Sequence, residues 1–147
     1  MLKILVPVDG SDNANRAASH VVKFYRGNTD VDVHLLNVQI PIDSGHVRLF
    51  VSPDQIDDYH REEGLAALAE ARRILDEAGV PCTHHIAVGR VADTIVRYAN
   101  ERGFDKIVMG THGRTGLMEV LVGSVAREVL QRSQIPVTLV KPGAAGG

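Results

Sequence analysis

The segment DKIVMGTHGRTGLMEVLVGSVAREVL, residues 105–130, contains an apolar run, a glycine-rich loop and an amphipathic stretch in succession. Residues 105–110 predict a strand, because short apolar runs rich in β-branched residues are typical of buried strands. Val125 and Val129 lie one helical turn apart, so the stretch after Gly123 predicts a helix. The segment is therefore interpreted as a strand and a helix joined by a loop with unusual backbone freedom.

The same alternation of strand and helix extends over the rest of the chain. Pro7 would remove a hydrogen bond from the middle of a sheet, so the first strand is predicted to end near it. Ser11 is a candidate N-cap, and Gly27 is a candidate end for the first helix. Strands joined by helices predict parallel strands, right-handed crossovers and helices on both faces of one open sheet. The predicted strands are 2–8, 31–38, 82–88, 105–110 and 135–141, and the intervening helices cover about 12–26, 54–79, 92–102 and 124–130.

Length and composition place the chain among globular domains and exclude several function classes. The 147 residues fit one domain, expected over 1–142, with a disordered tail at 143–147. A net charge of −2, 4% aromatic residues and no tryptophan argue against nucleic-acid binding, and no apolar run approaches a membrane span. Cys82 is the only cysteine, which together with the absence of a signal-peptide pattern predicts a cytosolic protein.

In an open parallel sheet, ligands bind beyond the carboxyl ends of the strands, so the loops at that edge are the candidates. Two of them consist of small or glycine-rich sequence: DGSD after the first strand and GTHGRTG after the fourth. If the first and fourth strands are neighbours, these two loops face each other across one cleft. The candidate loops are 9–12, 39–53, 88–91 and 110–123.

The glycines of the second loop indicate an anion site. Gly110, Gly113 and Gly116 allow a ligand to approach the backbone closely, and inward-facing N–H groups form a nest for an anion. Gly123 and Ser124 then begin a helix whose first N–H groups and dipole favour negative charge. A polyphosphate would suit this arrangement, although each glycine taken alone also has a purely structural interpretation. Neither a Walker loop nor the dinucleotide pattern G-x-G-x-x-G is present.

These residues together resemble the nucleotide-binding branch of the universal stress protein family. That branch carries G-x2-G-x9-G-[ST], which here corresponds to Gly110, Gly113 and Gly123-Ser124. The segments ILVPVDGS, GRVADTIVRYANERGFDKIVMGTHGRTGL and PVTLVK resemble the family in the same order. The resemblance covers about residues 2–141.

The resemblance implies the strand order 3-2-1-4-5 in a Rossmann-like sheet, which makes strands one and four neighbours. It also implies ATP as ligand, or AMP or ADP, usually with a divalent cation such as Mg²⁺ or Mn²⁺. Asp9 is expected at the adenosine end because it would repel phosphates; its alternative role is an Asx-type turn into the first helix. The binding residues implied by the motif are Pro7, Val8, Asp9, Val38, Met109, Gly110, Gly113, Gly123, Ser124 and Val125.

Three functions remain open from the sequence. The first is a nucleotide-dependent regulatory protein with little or no turnover, because the glycine-rich loop contains no lysine. The second is a slow ATPase or phosphotransferase that uses Asp9 or Glu119 with a bound metal. The third is a structural interaction protein that binds no nucleotide.

The last predicted strand indicates how the chain could pair with a second copy. The apolar strand 135–141 lies at a predicted sheet edge, and the resemblance implies an antiparallel homodimer through it, besides an unidentified regulatory partner. The segment RLFV, 48–51, is either a lid over the nucleotide or part of that interface.

Adjacent His84 and His85 should point to opposite faces and cannot share a metal. The acidic residues of the long helix, including Glu62 and Glu63, are interpreted as its solvent-exposed face.

Overall fold

The computed structural model describes residues 1–25, 30–42, 45, 49–111 and 123–141. Strands and helices alternate along these residues, as the sequence predicts. None of the helices in the described ranges combines the length and hydropathy of a membrane-spanning segment. The elements are β1 (Leu2–Pro7), α1 (Asp12–Tyr25), β2 (Val31–Gln39), α2 (Pro53–Glu77), β3 (Cys82–Val88), α3 (Val91–Glu101), β4 (Lys106–Gly110), α4 (Ser124–Arg132) and β5 (Val137–Val140).

The five strands form one parallel sheet in the order β3-β2-β1-β4-β5. The predicted fold class and strand order are therefore confirmed. β1 lies in the centre, where Leu5 is paired with His34 of β2 on one side and with Ile107 of β4 on the other. The chain passes from β1 to β2 on one side and later returns to β4 on the other side. This reversal leaves a crevice beyond the carboxyl ends of β1 and β4.

Two hydrophobic cores lie on opposite faces of the sheet. Ile4 and Val6 of β1 point toward α1 and α2, whereas Leu5 points toward α3 and α4. All three side chains are fully buried. The continuous apolar run at the start of the sequence follows directly, because a central strand covered on both faces has no polar side.

The helix boundaries are set by local hydrogen bonds. The Ser11 hydroxyl accepts the Ala14 N–H at 3.2 Å, which confirms Ser11 as the N-cap of α1. Ser52 and Gln55 form a reciprocal capping box at the start of α2. α2 ends before Gly79, whose φ of +73° lies in the left-handed region. Gly27, the predicted end of α1, and the predicted tail at 143–147 lie outside the described residues.

The adjacent histidines of β3 face opposite sides of the sheet, as predicted. His85 Nε2 lies 2.9 Å from Nδ1 of His34, and His34 Nε2 lies 3.0 Å from an Asp32 carboxylate oxygen. Burial, followed by the neighbouring His34, lowers the pKa of His85. The thiol-bearing residue Cys82 is half-buried. Among the described residues no group of three or more side chains could hold a metal ion.

Gly110 is required by the close approach of α1 to the end of β4. A Cβ atom at this position would lie 2.7 Å from the Asn13 carbonyl oxygen and 2.8 Å from its carbonyl carbon. Both atoms belong to the helix backbone, so they cannot move aside without displacing α1. The side chain of Asn13 is itself buried. Gly110 therefore allows the first helix to pack directly against the tip of β4.

We expect Gly110→Ala to lower the free energy of unfolding by about 1–3 kcal/mol, because the added methyl group must push α1 away from the sheet. The matched control is Gly45→Ala, whose Cβ meets no atom within 4 Å. Urea unfolding followed by circular dichroism measures both variants. Equal free energies of unfolding for the two variants would contradict this prediction, because they would mean that α1 can move away from β4 without loss of stability.

Candidate functional site

A cleft of about 500 Å³ opens at the carboxyl edge of the sheet, where β1 and β4 lie side by side. This volume falls within the range of small-molecule sites. Its walls come from the tips of β1, β2 and β4 and from parts of all four helices. The described lining residues are Pro7, Val8, Asp9, Ser11, Ala14, Leu36, Asn37, Val38, Gln39, Ile40, Ile42, Tyr59, Glu63, Ala67, Val91, Ile95, Met109, Gly110, Thr111, Gly123, Ser124, Val125 and Ala126.

The structure brings together nine of the ten residues predicted to bind a nucleotide. Gly113, the tenth, lies outside the described residues, as does Glu119. The described ends of the two predicted loops, Asp9 and Ser11 after β1 and Gly110 and Thr111 after β4, line the same cleft, and residues 112–122 lie outside the described residues. That these residues hold a nucleotide stays a prediction. The nine are Pro7, Val8, Asp9, Val38, Met109, Gly110, Gly123, Ser124 and Val125.

A buried asparagine locks the tips of β1 and β2 together. The Asn37 side-chain amide donates to the Val8 carbonyl oxygen at 2.8 Å, and its own oxygen accepts from the Gln39 amide at 2.7 Å. The Val8 N–H donates to the Leu36 carbonyl at 2.8 Å. Sequence reasoning missed Asn37, although a polar residue inside the apolar run VDVHLLNV was a signal. The β1–β2 end of the cleft is therefore fixed by paired polar groups.

The opposite end of the cleft is fixed through Thr111, which is buried directly after β4. Its carbonyl oxygen accepts the Gly123 N–H, and its N–H donates to the Val140 carbonyl at 3.3 Å. These two bonds join the end of β4 to the end of β5 and to the residue that precedes α4. They hold the start of α4 next to the carboxyl end of β4.

The first turn of α4 contains backbone donors that have no hydrogen-bond partner within the helix, and its residues line the cleft. Gly123 is the N-cap and supplies no side-chain hydrogen bond to the helix. The first N–H bonded within the helix is that of Arg127, which donates to the Gly123 carbonyl at 2.9 Å. The N–H groups of the three residues before Arg127 therefore have no partner within the helix. These residues, Ser124, Val125 and Ala126, all line the cleft.

Asp9 adopts the turn role that the sequence offered as its alternative. Its Oδ1 accepts the Ser11 N–H at 3.0 Å, an Asx-type turn that leads into α1. Asp9 is partly exposed and lines the cleft, so its second oxygen is placed to accept a further hydrogen bond. Its contact with a ligand stays a prediction.

One wall of the cleft comes from the long helix, and sequence reasoning missed it. Tyr59, Glu63 and Ala67 follow each other at intervals of four residues and therefore share one face of α2. A Cβ at Gly10 would lie 3.4 Å from the Ala67 Cα, so α2 touches the loop after β1. The prediction that Glu63 lies on the exposed face is correct, but that face also borders the cleft. The four-residue spacing was the available signal.

The chain is thus a Rossmann-like α/β protein with a ligand-sized cleft at the point where its strand order reverses. It belongs to the universal stress protein family, whose family model matches residues 1–141. A universal stress protein of Methanocaldococcus jannaschii, MJ0531, is 35% identical over 141 residues, which cover 95% of this chain and 81% of that protein.

Solved structures of the family superimpose on nearly the whole chain. The MJ0577 protein of Methanocaldococcus jannaschii is 33% identical, with a TM-score of 0.81 and 98% of each chain covered. An Arabidopsis thaliana family member, solved with AMP bound, is 25% identical with a TM-score of 0.70, covering 98% of this chain and 94% of that one. The Archaeoglobus fulgidus protein in complex with dAMP is 27% identical with a TM-score of 0.65, covering 96% and 98%. Structural neighbours of this chain therefore bind adenine nucleotides.

We expect Asn37→Leu to lower the free energy of unfolding by about 1–3 kcal/mol, because the Val8 carbonyl and the Gln39 amide lose their partner. Gln39→Leu is the matched control: it removes the outer bond and keeps the bond between Asn37 and Val8, so its effect should be smaller. Chemical denaturation of both variants measures whether Asn37→Leu loses more stability than Gln39→Leu. A Gln39 variant as unstable as the Asn37 variant would contradict it.

Proposed function

We propose that this protein is a nucleotide-binding regulatory module of the cytosol that binds ATP, or AMP or ADP, in the cleft between β1 and β4. Membership of a family with nucleotide-bound members supports the ligand class. The nucleotide state would then be passed on to a regulatory partner protein. The single observation that carries the proposal is the start of α4 at the lining of a cleft of nucleotide size, because the first backbone N–H groups of a helix have no partner within the helix.

The phosphates are assigned to the α4 end of the cleft. The N–H groups of Ser124, Val125 and Ala126 precede the first hydrogen bond of the helix, and the dipole of α4 adds partial positive charge there. Each hydrogen bond from such a group to a charged oxygen contributes about 1.5–3 kcal/mol. Three of them suffice for micromolar affinity after the cost of ordering the ligand.

The nucleoside is assigned to the opposite end, next to β2. Val38, Ile40 and Ile42 form an apolar lining there, together with Val91 and Ile95 of α3. Adenine is a flat, largely apolar ring, so burial against such side chains favours it. The free oxygen of Asp9 is available to accept a hydrogen bond from the ribose or the base.

A divalent cation would accompany ATP mainly through the phosphate oxygens. The described residues contain no cluster of three or more metal-ligating side chains, so the protein itself offers no complete metal site there. Mg²⁺ commonly keeps several waters and binds substrate phosphates with few protein ligands, so this donor set fits it. The cation would supply neutralisation of the phosphate charge.

Little or no turnover is proposed. Phosphoryl transfer needs a cationic group at the transferred phosphate and a residue that positions water. In the described lining the charged side chains are Asp9 and Glu63, both negative, and one oxygen of Asp9 is already used in a turn. A single-turnover assay with labelled ATP tests this, and hydrolysis faster than about one per second would overturn it.

We expect Ser124→Glu to lower the affinity for ATP at least about tenfold, or ~1.4 kcal/mol, because a carboxylate would occupy the phosphate end. A glutamate in the first turn of a helix is favourable to the helix dipole, so the fold should be retained. Adenosine, which lacks phosphates, should bind both proteins equally. Isothermal titration calorimetry with adenosine, AMP and Mg²⁺-ATP measures these affinities.

Gln131→Glu is the matched control for this variant, since it adds the same charge to α4 at an exposed position outside the cleft lining. It should bind ATP like the unaltered protein. Loss of adenosine binding together with ATP binding in Ser124→Glu would place the phosphates elsewhere. If the unaltered protein bound no adenine nucleotide, the proposed function would be wrong, and the structural interaction protein named as the third alternative would remain.

We also propose that β5 joins two copies of the chain into a homodimer. Within the described sheet β5 pairs only with β4, and its four side chains are half-buried in the single chain. Such an edge with an apolar sequence is suited to pairing with another strand. The proposed interface covers residues 135–141, of which Val137–Val140 form the strand.

Thr138→Lys is expected to convert the dimer to a monomer at micromolar concentration, because a lysine on an edge strand opposes strand pairing. The matched control, Thr83→Lys, places the same charge on β3 at the other edge of the sheet and should remain dimeric. Sedimentation equilibrium distinguishes the two states. A monomeric unaltered protein, or a monomeric Thr83 variant, would contradict this interface.

A further inference from the structure

The face of α2 formed by Tyr59, Glu63 and Ala67 borders the nucleoside end of the cleft. α2 packs against β2, β3 and α1, whereas α4 packs against α3 and β5. In the sheet, β1 and β4 lie between β2, which α2 contacts, and β5, which α4 contacts. A ligand that places its phosphates at α4 therefore presents its nucleoside to α2.

Glu63 is the charged residue on this face. It is exposed, and the described residues give it neither a hydrogen bond nor an ion pair. Three other acidic residues of α2 are paired with arginines on the helix surface: Asp58 with Arg61, and Glu70 and Glu77 with Arg73. No lysine or arginine lies three or four residues from Glu63 in the sequence, so the helix offers it no such partner.

The chemistry of Glu63 limits what it can recognise. An ionised carboxylate only accepts hydrogen bonds, and it repels phosphate oxygens. At the β2 end of the cleft the groups that can donate to it are the exocyclic amine of the base and the ribose hydroxyls. Tyr59, one turn earlier on the same face, is half exposed and offers an aromatic surface beside this position.

We propose that Glu63 is a specificity-determining residue that accepts a hydrogen bond from a donor group of the bound nucleoside. This inference rests on the proposed nucleotide-binding function and extends the site onto α2, beyond the strand tips and the glycine-rich loop. Glu63 selects for the nucleoside, while the backbone donors of α4 hold the phosphates. The nucleoside and the phosphates of one ligand are thus bound by two different parts of the chain.

The test compares Glu63→Gln with Glu62→Gln in the full chain. Glu62 is the adjacent exposed glutamate of the same helix and lies outside the cleft lining, so it controls for charge and helix stability. Calorimetric titrations use AMP, 2′-deoxy-AMP, which lacks one ribose hydroxyl, and inosine monophosphate, which lacks the exocyclic amine. Thermal unfolding of both variants checks that the fold is retained.

The expected result is a five- to twentyfold loss of AMP affinity in Glu63→Gln, because a hydrogen bond to a charged acceptor is replaced by a neutral one. Glu62→Gln should bind AMP within twofold of the unaltered protein. The unaltered protein should also bind AMP more tightly than the analogue that lacks the donor, and Glu63→Gln should discriminate less between the two, because its neutral amide oxygen accepts a weaker hydrogen bond. The analogue that shows this loss of discrimination identifies the group that Glu63 contacts.

Equal AMP affinities of the Glu63 and Glu62 variants would overturn the inference and leave the nucleotide site intact. A weaker Glu63 variant that still discriminates among the three nucleotides as before would also overturn it, because that result indicates a general charge effect. An unaltered protein that binds none of the three nucleotides would instead overturn the proposed function. The two failures are therefore distinguishable.

Discussion

The close contact between α1 and the end of β4 is the constraint on which the rest of the site depends. Gly110 admits the backbone of Asn13 to a distance that no side chain would allow. Because α1 starts directly after β1, this contact places the turn Asp9–Ser11 beside the tip of β4. Thr111, the next residue, then anchors the N-cap of α4. One glycine therefore sets the distance between the two loops that border the cleft.

The cleft divides its chemistry between backbone and side chains. At the α4 end, the donors are main-chain N–H groups, which keep their position whatever the side chains are. Away from α4, the charged groups of the described lining are the carboxylates of Asp9 and Glu63. Negative charge is thus favoured at one end and disfavoured at the other. This polarity orients an asymmetric ligand before any individual contact is considered.

The sequence predicted the parallel sheet and most of the strand tips because each strand carries a local pattern that its neighbours do not alter. The strand order was implied by the family resemblance and not by any local pattern. Ser11 as N-cap and Pro7 as strand end follow from single-residue chemistry. The contribution of α2 was not predicted, because it depends on how far the helix stands above the sheet edge. Periodicity assigned Glu63 correctly to the exposed face, but only tertiary packing shows that this face borders the cleft. Asn37 was missed for a related reason, since its partners Val8 and Gln39 meet only in the folded sheet.

The same division of charge bears on the choice between binding and catalysis. A transferred phosphoryl group gathers negative charge in the transition state, and enzymes place fixed cations against it. Here the charged side chains of the described walls are two carboxylates, and the proposed phosphate end is bordered by the start of α4, where the helix dipole is positive. Under the proposed function, backbone donors that bind the ground state and the transition state equally would increase affinity without increasing the rate of transfer. Such a site would retain its nucleotide, which is what the proposed regulatory function requires.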